Sequence, residues 1–331
     1  MDYVGLIQKF KINRELTDEE RANQLSQKQR LNIEPIYQLA VIKLNSTFLE
    51  SVDKFYAWKG WATLFTVAVV LMLFAFLLLI WVSALLPPFL APDSAIRDWL
   101  DPNHLRVTTD WFAPSFTIAL SAPLMALCLW GLCKDSFAHT HYPIRLNRKN
   151  RTIYVFRFDG SVLVANWDDL FFALGRSIYL GFQQQWDIRG HVLAADRKTV
   201  IETFAFSIFE GEQDLVRRHW EYLRRYMEEG PKSIIGIGDM YMPIANQRET
   251  AKMSFHRMWA NFAQNAVAAI VTLPIVVPLW LGRLFAMRTS KIPVWPVDVE
   301  EACRIEPGDP FERDERNNPA DLLSWSRPLP R

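Results

Sequence analysis

The sequence predicts an α+β membrane protein: a transmembrane helical hairpin, a small antiparallel β domain closed by a C-terminal helix, and then a third membrane-embedded segment. Three observations predict it. Trp61 to Leu86 and Trp111 to Cys133 are two long runs without a charged residue. Beyond them the apolar pattern changes from continuous to period two over residues 143–207. An amphipathic stretch follows, with Val216, Trp220, Leu223 and Met227 at spacings of four, three and four.

A bilayer core about 30 Å thick takes roughly 20 apolar residues at about 1.5 Å rise each, so Trp61–Leu86 spans it with length to spare for tilt. The run is apolar on every face, which a core helix of a soluble protein seldom is. The second run lies between Asp110 and Lys134-Asp135. Pro114 falls in its first turn, where a missing N–H costs little, and Pro123 falls mid-span, where a kink is expected. Trp61, Trp81, Trp111 and Trp130 sit near the run ends, at headgroup depth. The residues before Trp61 are polar and charged with no apolar core of a cleavable signal, so the first span is expected to act as signal anchor.

Half of the 331 residues are hydrophobic, and the 22% that are charged lie outside these runs; a net charge of +1 gives no reason to expect nucleic acid as a partner. Cys128 and Cys133 are five apart within the second span and Cys303 is far away, so no disulfide framework is expected. Lys43, Lys54 and Lys59 precede the first span, and Lys134, Arg145, Arg148, Lys149 and Arg151 follow the second. Residues 87–110 hold only Arg97 and Arg106 against Asp93, Asp98, Asp101 and Asp110. The positive-inside rule therefore puts the N-terminus and residues 134–255 in the cytoplasm.

Five regions result: an N-terminal helical cytoplasmic arm (1–56), the transmembrane hairpin (57–133), a cytoplasmic β-rich domain (134–255), a third membrane segment (256–290) and a Pro/acid-rich tail (291–331). In the arm, Thr17 and Glu20 have capping-box spacing for a polar helix running to about Arg30, and Pro35 opens a second segment. In the β domain, Thr152–Trp167 reads as a hairpin around Asp159-Gly160, a pair suited to the two positive φ values of a type I′ turn. Pro143–Asn147, Leu170–Leu174, Gln184–Ala194 and Thr199–Ser207 read as further strands, and Asp214–Glu229 as the closing helix, ended by Gly230-Pro231. A short sheet closed by one amphipathic helix has the outline of a pleckstrin-homology-like domain. The third apolar run, Ala266–Gly282, contains Pro274 and Pro278 and meets Arg283 at once; it either spans or dips in and returns. The tail is expected to be extended and poorly packed.

No catalytic, cofactor-binding or metal site is assigned. His139-Thr140-His141 has metal-ligand spacing without a third ligand. Gly236-Ile237-Gly238 lacks the remainder of a dinucleotide fingerprint, and Asp168-Asp169 reads as the turn after Trp167. Walker, nucleophile-elbow, zinc-protease and kinase motifs are missing from the sequence, and neither span carries an ionisable residue of the kind that lines ion pathways. A non-enzymatic protein without cofactors is the expectation.

The stretches His141–Gly175, Leu215–Pro231 and Ala286–Pro310 give a resemblance, over about residues 50–316, to an uncharacterised family of Gram-negative inner-membrane proteins often encoded beside type VI secretion effectors. The resemblance implies a multi-pass protein of the bacterial inner membrane whose partners are the lipid bilayer and a secreted effector or secretion component, acting as immunity or accessory protein. A second expectation, from the basic residues Arg145, Arg148, Lys149 and Arg151, is a membrane-anchored lipid-sensing or scaffold module.

Overall fold

The computed structural model describes residues 9–90, 112–179, 183–206, 211–238, 240–260 and 270–319. Two antiparallel sheets share one core, and two long apolar helices leave that body from between two adjacent strands. In chain order the elements are β1 (Arg14–Glu15), α1 (Asp18–Ala22), β2 (Val41–Leu44), β3 (Phe48–Ser51), α2 (Trp61–Leu90) and α3 (Phe112–Asp135). Then come β4 (Ile144–Asn147), β5 (Thr152–Phe156), β6 (Val162–Asn166), β7 (Phe171–Tyr179), β8 (Gln183–Leu193) and β9 (Thr199–Ala205). The chain continues through α4 (Gln213–Glu229), α5 (Ala251–Ala260), α6 (Leu273–Thr289) and α7 (Val297–Ala302).

The first sheet has order β2-β3-β4-β5-β6 and the second β1-β9-β8-β7. β3 pairs with β4 in register from Phe48↔Asn147 to Ser51↔Ile144, so the helical hairpin is an insertion within one sheet. The strands β2 and β3 correct the expectation of a helical arm over residues 1–56. The capping box on Thr17 and Glu20 does start a helix, but it ends at Ala22, and Pro35 opens no second one. Val41-Ile42 and Phe48-Leu49 instead flank a turn closed by Asn45, whose Oδ1 accepts from the N–H groups of Thr47 and Phe48 at 2.9 and 2.8 Å. The hairpin they form joins the sheet only through β3, whose partner β4 lies about a hundred residues away, and that pairing leaves no local signal.

Both sheets turn apolar side chains inward. Leu44, Leu49, Ile144, Leu146 and Ile153 meet Phe172, Leu174, Ile188, Phe204 and Phe206 across one core. Helix α4 closes it with the expected stripe, Val216, Trp220, Leu223 and Met227, all buried. Trp220 stacks on Trp167 at 5.6 Å, and the Trp167 indole N–H is satisfied by Glu228 at 2.8 Å. Gly230, at φ 90°, ends the helix. The β5–β6 hairpin forms where expected, but its turn is not type I′: Gly160 alone has positive φ, and the loop closes through Arg157 N–H to Ser161 O at 2.8 Å.

β3 and β4 are buried on both faces. Their outer face carries Phe48, Glu50, Arg145 and Asn147, and it is covered by Trp295, Val299 and Cys303 from the C-terminal segment. Arg313 then pairs with Leu44 at the edge of β2, at 2.7 and 2.9 Å. Residues 291–319 are therefore packed, which corrects the expectation of a loose tail; residues 320–331 lie outside the described residues. High Pro and acid content suggested solvation, but Trp295 and Val299 pay for ordering by covering the outer face of β3 and β4.

Helices α2 and α3 pack along each other and are long and apolar enough to cross a membrane, with 11% and 6% of their most apolar stretches buried. Pro123 lies inside α3, as expected. Residues 91–111 between them, like the start of the third apolar run (residues 266–269), lie outside the described residues. Trp220→Ala is expected to cost about 3–5 kcal/mol in equilibrium unfolding of the detergent-solubilised chain, whereas the exposed Ile201→Ala stays within about 0.5 kcal/mol.

Candidate functional site

Helices α2, α3, α5 and α6 converge on a buried polar collar where they enter the sheet body. Asp53, just after β3, accepts from the N–H of Phe55 at 2.9 Å, capping a short 3-10 turn (Lys54–Trp58), and from the N–H of Tyr142 at 2.8 Å, just before β4. The two strands are thereby tied together below the inserted helices. Gly60 steps through φ 94°, and α2 begins. Its first turn is capped by the last residue of α3: the Asp135 carboxylate accepts from Gly60 N–H (3.1 Å), Thr63 N–H (2.9 Å) and the Thr63 hydroxyl (2.7 Å). Lys59 Nζ donates to the carbonyls of Asp135 and His139.

The centre of the collar is a fully buried ion pair between Arg283 of α6 and Glu249, two residues before α5. Arg283 donates from Nε and Nη2 to the two Glu249 oxygens at 2.7 and 3.1 Å, and from Nη1 to the carbonyl of Tyr56 at 2.8 Å. Glu249 also accepts from the Tyr56 hydroxyl (2.7 Å) and the Ser254 hydroxyl (2.8 Å). Burial raises the Glu249 carboxyl, and the Arg283 guanidinium more than offsets it, so the carboxyl stays below its ordinary range. The Tyr56 ring lies under both Arg283 and Arg257, at 4.8 and 4.7 Å. Glycine permits this approach: a Cβ on Gly60 would stand 2.3 Å from the Arg283 Cα, and one on Gly282 would stand 2.7 Å from the Gly60 carbonyl oxygen.

This cluster ties the helix ends together: Arg283 links α6 to Glu249 and to the chain that leads into α2. Both Glu249 oxygens are engaged, and the adjoining cavity, bounded by Asp53, Lys59 and His141, measures about 10 Å³, room for about one water. A larger groove of about 350 Å³ runs between β2 and residues 312–316. It is lined by Lys43, Arg313 and Arg316 interleaved with Glu312, Asp314 and Glu315, and Arg316 pairs with Asp314 and Glu312 inside it.

The residues singled out in the sequence fall elsewhere. His141 is buried against Tyr56 with Nδ1 at 3.0 Å from the Thr140 hydroxyl, while the His139 ring meets Tyr142 and Phe156. Among the described residues no three His, Cys, Asp or Glu side chains converge as a metal site. Gly238 lies against the Tyr37 ring, and Gly236 occupies a turn. Asp168 and Asp169 form the turn after Trp167, and Asp168 pairs with Arg151 and Lys28 at 2.6 and 2.8 Å. Of the basic residues after α3, Arg145 lies buried between Phe48 and Trp295 and pairs with Glu50 and Glu300, Lys149 pairs with Glu306, and Arg151 also pairs with Glu228. Glu249, Arg283, Tyr56 and Asp135 were not anticipated; the one signal was a charge placed directly at the end of an apolar run, at Asp135 and at Arg283, which reads equally as an orientation mark.

Arg283→Met is expected to cost about 3–5 kcal/mol, because it strands a buried carboxylate. The double variant Arg283→Met/Glu249→Leu should recover part of that loss, measured as unfolding midpoints in detergent. A pH dependence follows from burial as well. His141, His191 and His219 are held neutral by burial, down to about 3, 4 and 4. Their contribution is complete above the ordinary histidine value of about 6.5 and is lost as pH falls through the window down to about 4. Asp53 opposes them: burial lifts it to about 6, so the folded state binds one extra proton between about pH 4 and 6. Near pH 5 the three histidines outweigh Asp53, so among these groups the unfolded chain binds more protons than the folded one and stability falls on acidification. His219→Gln should make that fall shallower, read from unfolding midpoints between pH 7 and 5.

Comparison with known proteins adds one result. No curated protein and no solved structure matches the chain. Residues 121–307, more than half of the 331, match a family of unknown function (DUF6708), and the chain belongs to that family.

Proposed function

We propose that this chain is a non-enzymatic, multi-pass protein of the bacterial inner membrane that binds a protein partner, acting as immunity or accessory protein of a type VI secretion effector. The observation that carries the membrane part is the pair α2 and α3, which expose Phe65, Leu71, Phe74, Phe116 and Leu120 and carry no charge before Lys134. Side chains of that kind, on helices of that length, match a bilayer as solvent. The N-terminus and residues 134–255 then lie on the cytoplasmic side by the distribution of Lys and Arg. The packing of two sheets and α4 around one core supports a pleckstrin-homology-like description of the body. A binding role is favoured because the buried charges are engaged with one another, and the secretion context comes from the resemblance in sequence. The lipid-sensing alternative loses ground, since Arg145, Lys149 and Arg151 have carboxylate partners within the chain.

The test is purification of the tagged full-length protein from native membranes in mild detergent, with mass spectrometry of what remains bound. A stoichiometric effector or secretion component is the expected result. Cells lacking the gene that resist the neighbouring toxin as well as the parent strain does, and still export it, would sink the reading.

A further inference from the structure

We infer that the hairpin of α5 and α6 enters the cytoplasmic leaflet and returns to the face it left, so that lipid covers its outer side and residues 291–319 share a side with residues 134–255. The inference rests on the reading of α2 and α3 as spans.

Both feet of the hairpin are held at one level. Arg248 donates to the Ser290 carbonyl at 3.1 and 3.2 Å, Glu249 pairs with Arg283, and Trp280 Nε1 donates to the Ala251 carbonyl at 2.9 Å. The flanking chain re-enters the same body on either side. Met242 N–H reaches Val41 O at 2.8 Å before the hairpin; after it, Lys291 N–H reaches Ala138 O and Thr140 N–H reaches Lys291 O, each at 2.8 Å. A segment crossing the bilayer would leave its two ends about 30 Å apart.

The depth follows from the contact with α2. Gly60, the residue before the first span, lies against Gly282 and Arg283, and a Cβ on Gly282 would meet Leu64 at 3.1 Å. Residues of α6 that precede Gly282 therefore run beside α2 into the bilayer. From Gly282 back to Leu273, where α6 begins, is about 14 Å at about 1.5 Å per residue, so this stretch lies within one leaflet.

The side chains sort by environment in the same way. Val276 and Leu279 pack with Met258 in a small core, while Ile270, Val271, Ile275, Leu281 and Phe285 point outward, 70, 68, 55, 54 and 45% exposed. That face adjoins the exposed apolar surface of α2. At its foot Phe285 meets the exposed Phe137 at 6.0 Å, and Lys252, Arg288 and Lys291 are exposed where headgroups would stand. Water is a poor partner for such a patch, and its continuity with the spans makes lipid the occupant.

The experiment uses the full-length protein in right-side-out spheroplasts and a membrane-impermeant maleimide, with the parent chain as blank. The reporters are Ser94→Cys between the two apolar runs, Asp169→Cys in the β domain and Glu301→Cys in α7. Labelling of Ser94→Cys in intact spheroplasts, with Asp169→Cys and Glu301→Cys labelled only after permeabilisation, is the expected result. Glu301→Cys labelled from outside while Asp169→Cys stays protected would mean that the segment spans, overturning the inference and leaving the anchor intact. Release of the chain by alkaline carbonate would instead remove the anchor reading itself. In vesicles holding nitroxide-bearing lipid, bimane on Ile275→Cys should be quenched as bimane on Leu71→Cys is. Quenching at Leu71→Cys alone would assign that face to protein, a second copy included, and overturn the lipid assignment.

Discussion

The pairing of β3 with β4 is the constraint on which the rest of the structure depends. Ser51 and Ile144 stand opposite each other in one sheet although two long helices separate them in the chain. Closing so long a loop costs entropy that grows only slowly with length, and the return is a sheet centre buried on both faces. Because the helices leave and re-enter between neighbouring strands, their feet must lie close together. That places Asp135, the last residue of α3, at the first turn of α2, where its carboxylate meets unpaired helix N–H groups.

From this constraint the collar follows. Four helix ends crowd above the ends of β3 and β4, and the polar backbone groups there are out of reach of bulk water, so side chains must satisfy them. Arg283 serves Glu249 and two backbone carbonyls, Lys59 serves two more, and Asp53 bridges the strand ends. A buried ion pair adds little net stability over apolar packing, but it is unforgiving of displacement. Its consequence here is positional: the apolar helices are held at a fixed level and direction relative to the body.

Much was legible in the sequence where the signal is local. The uncharged runs, the capping box at Thr17, the strands from Thr152 to Ala205 and the stripe on α4 each depend on residues a few positions apart, and each formed where expected, although the helix begun at Thr17 stops at Ala22 and β7 runs on to Tyr179. Gly160 marked its turn but not the turn type, since Asp159 does not adopt the positive φ that a type I′ turn needs. Charges were legible only as charges: Arg145 and Lys149 looked like headgroup ligands until Glu50 and Glu306 were brought to them from far along the chain.

The sequence by itself determined the two long apolar helices and the α+β character of the remainder, because hydrophobicity and periodicity act through neighbours in the chain. Only the tertiary structure decided that β2 and β3 belong to the sheet, that Trp295 and Val299 cover its outer face, and that Glu249 meets Arg283 inside the collar. Those outcomes are pairings between distant segments, each chosen by which buried surface or charge would otherwise go unmatched, and a linear pattern carries no record of that choice.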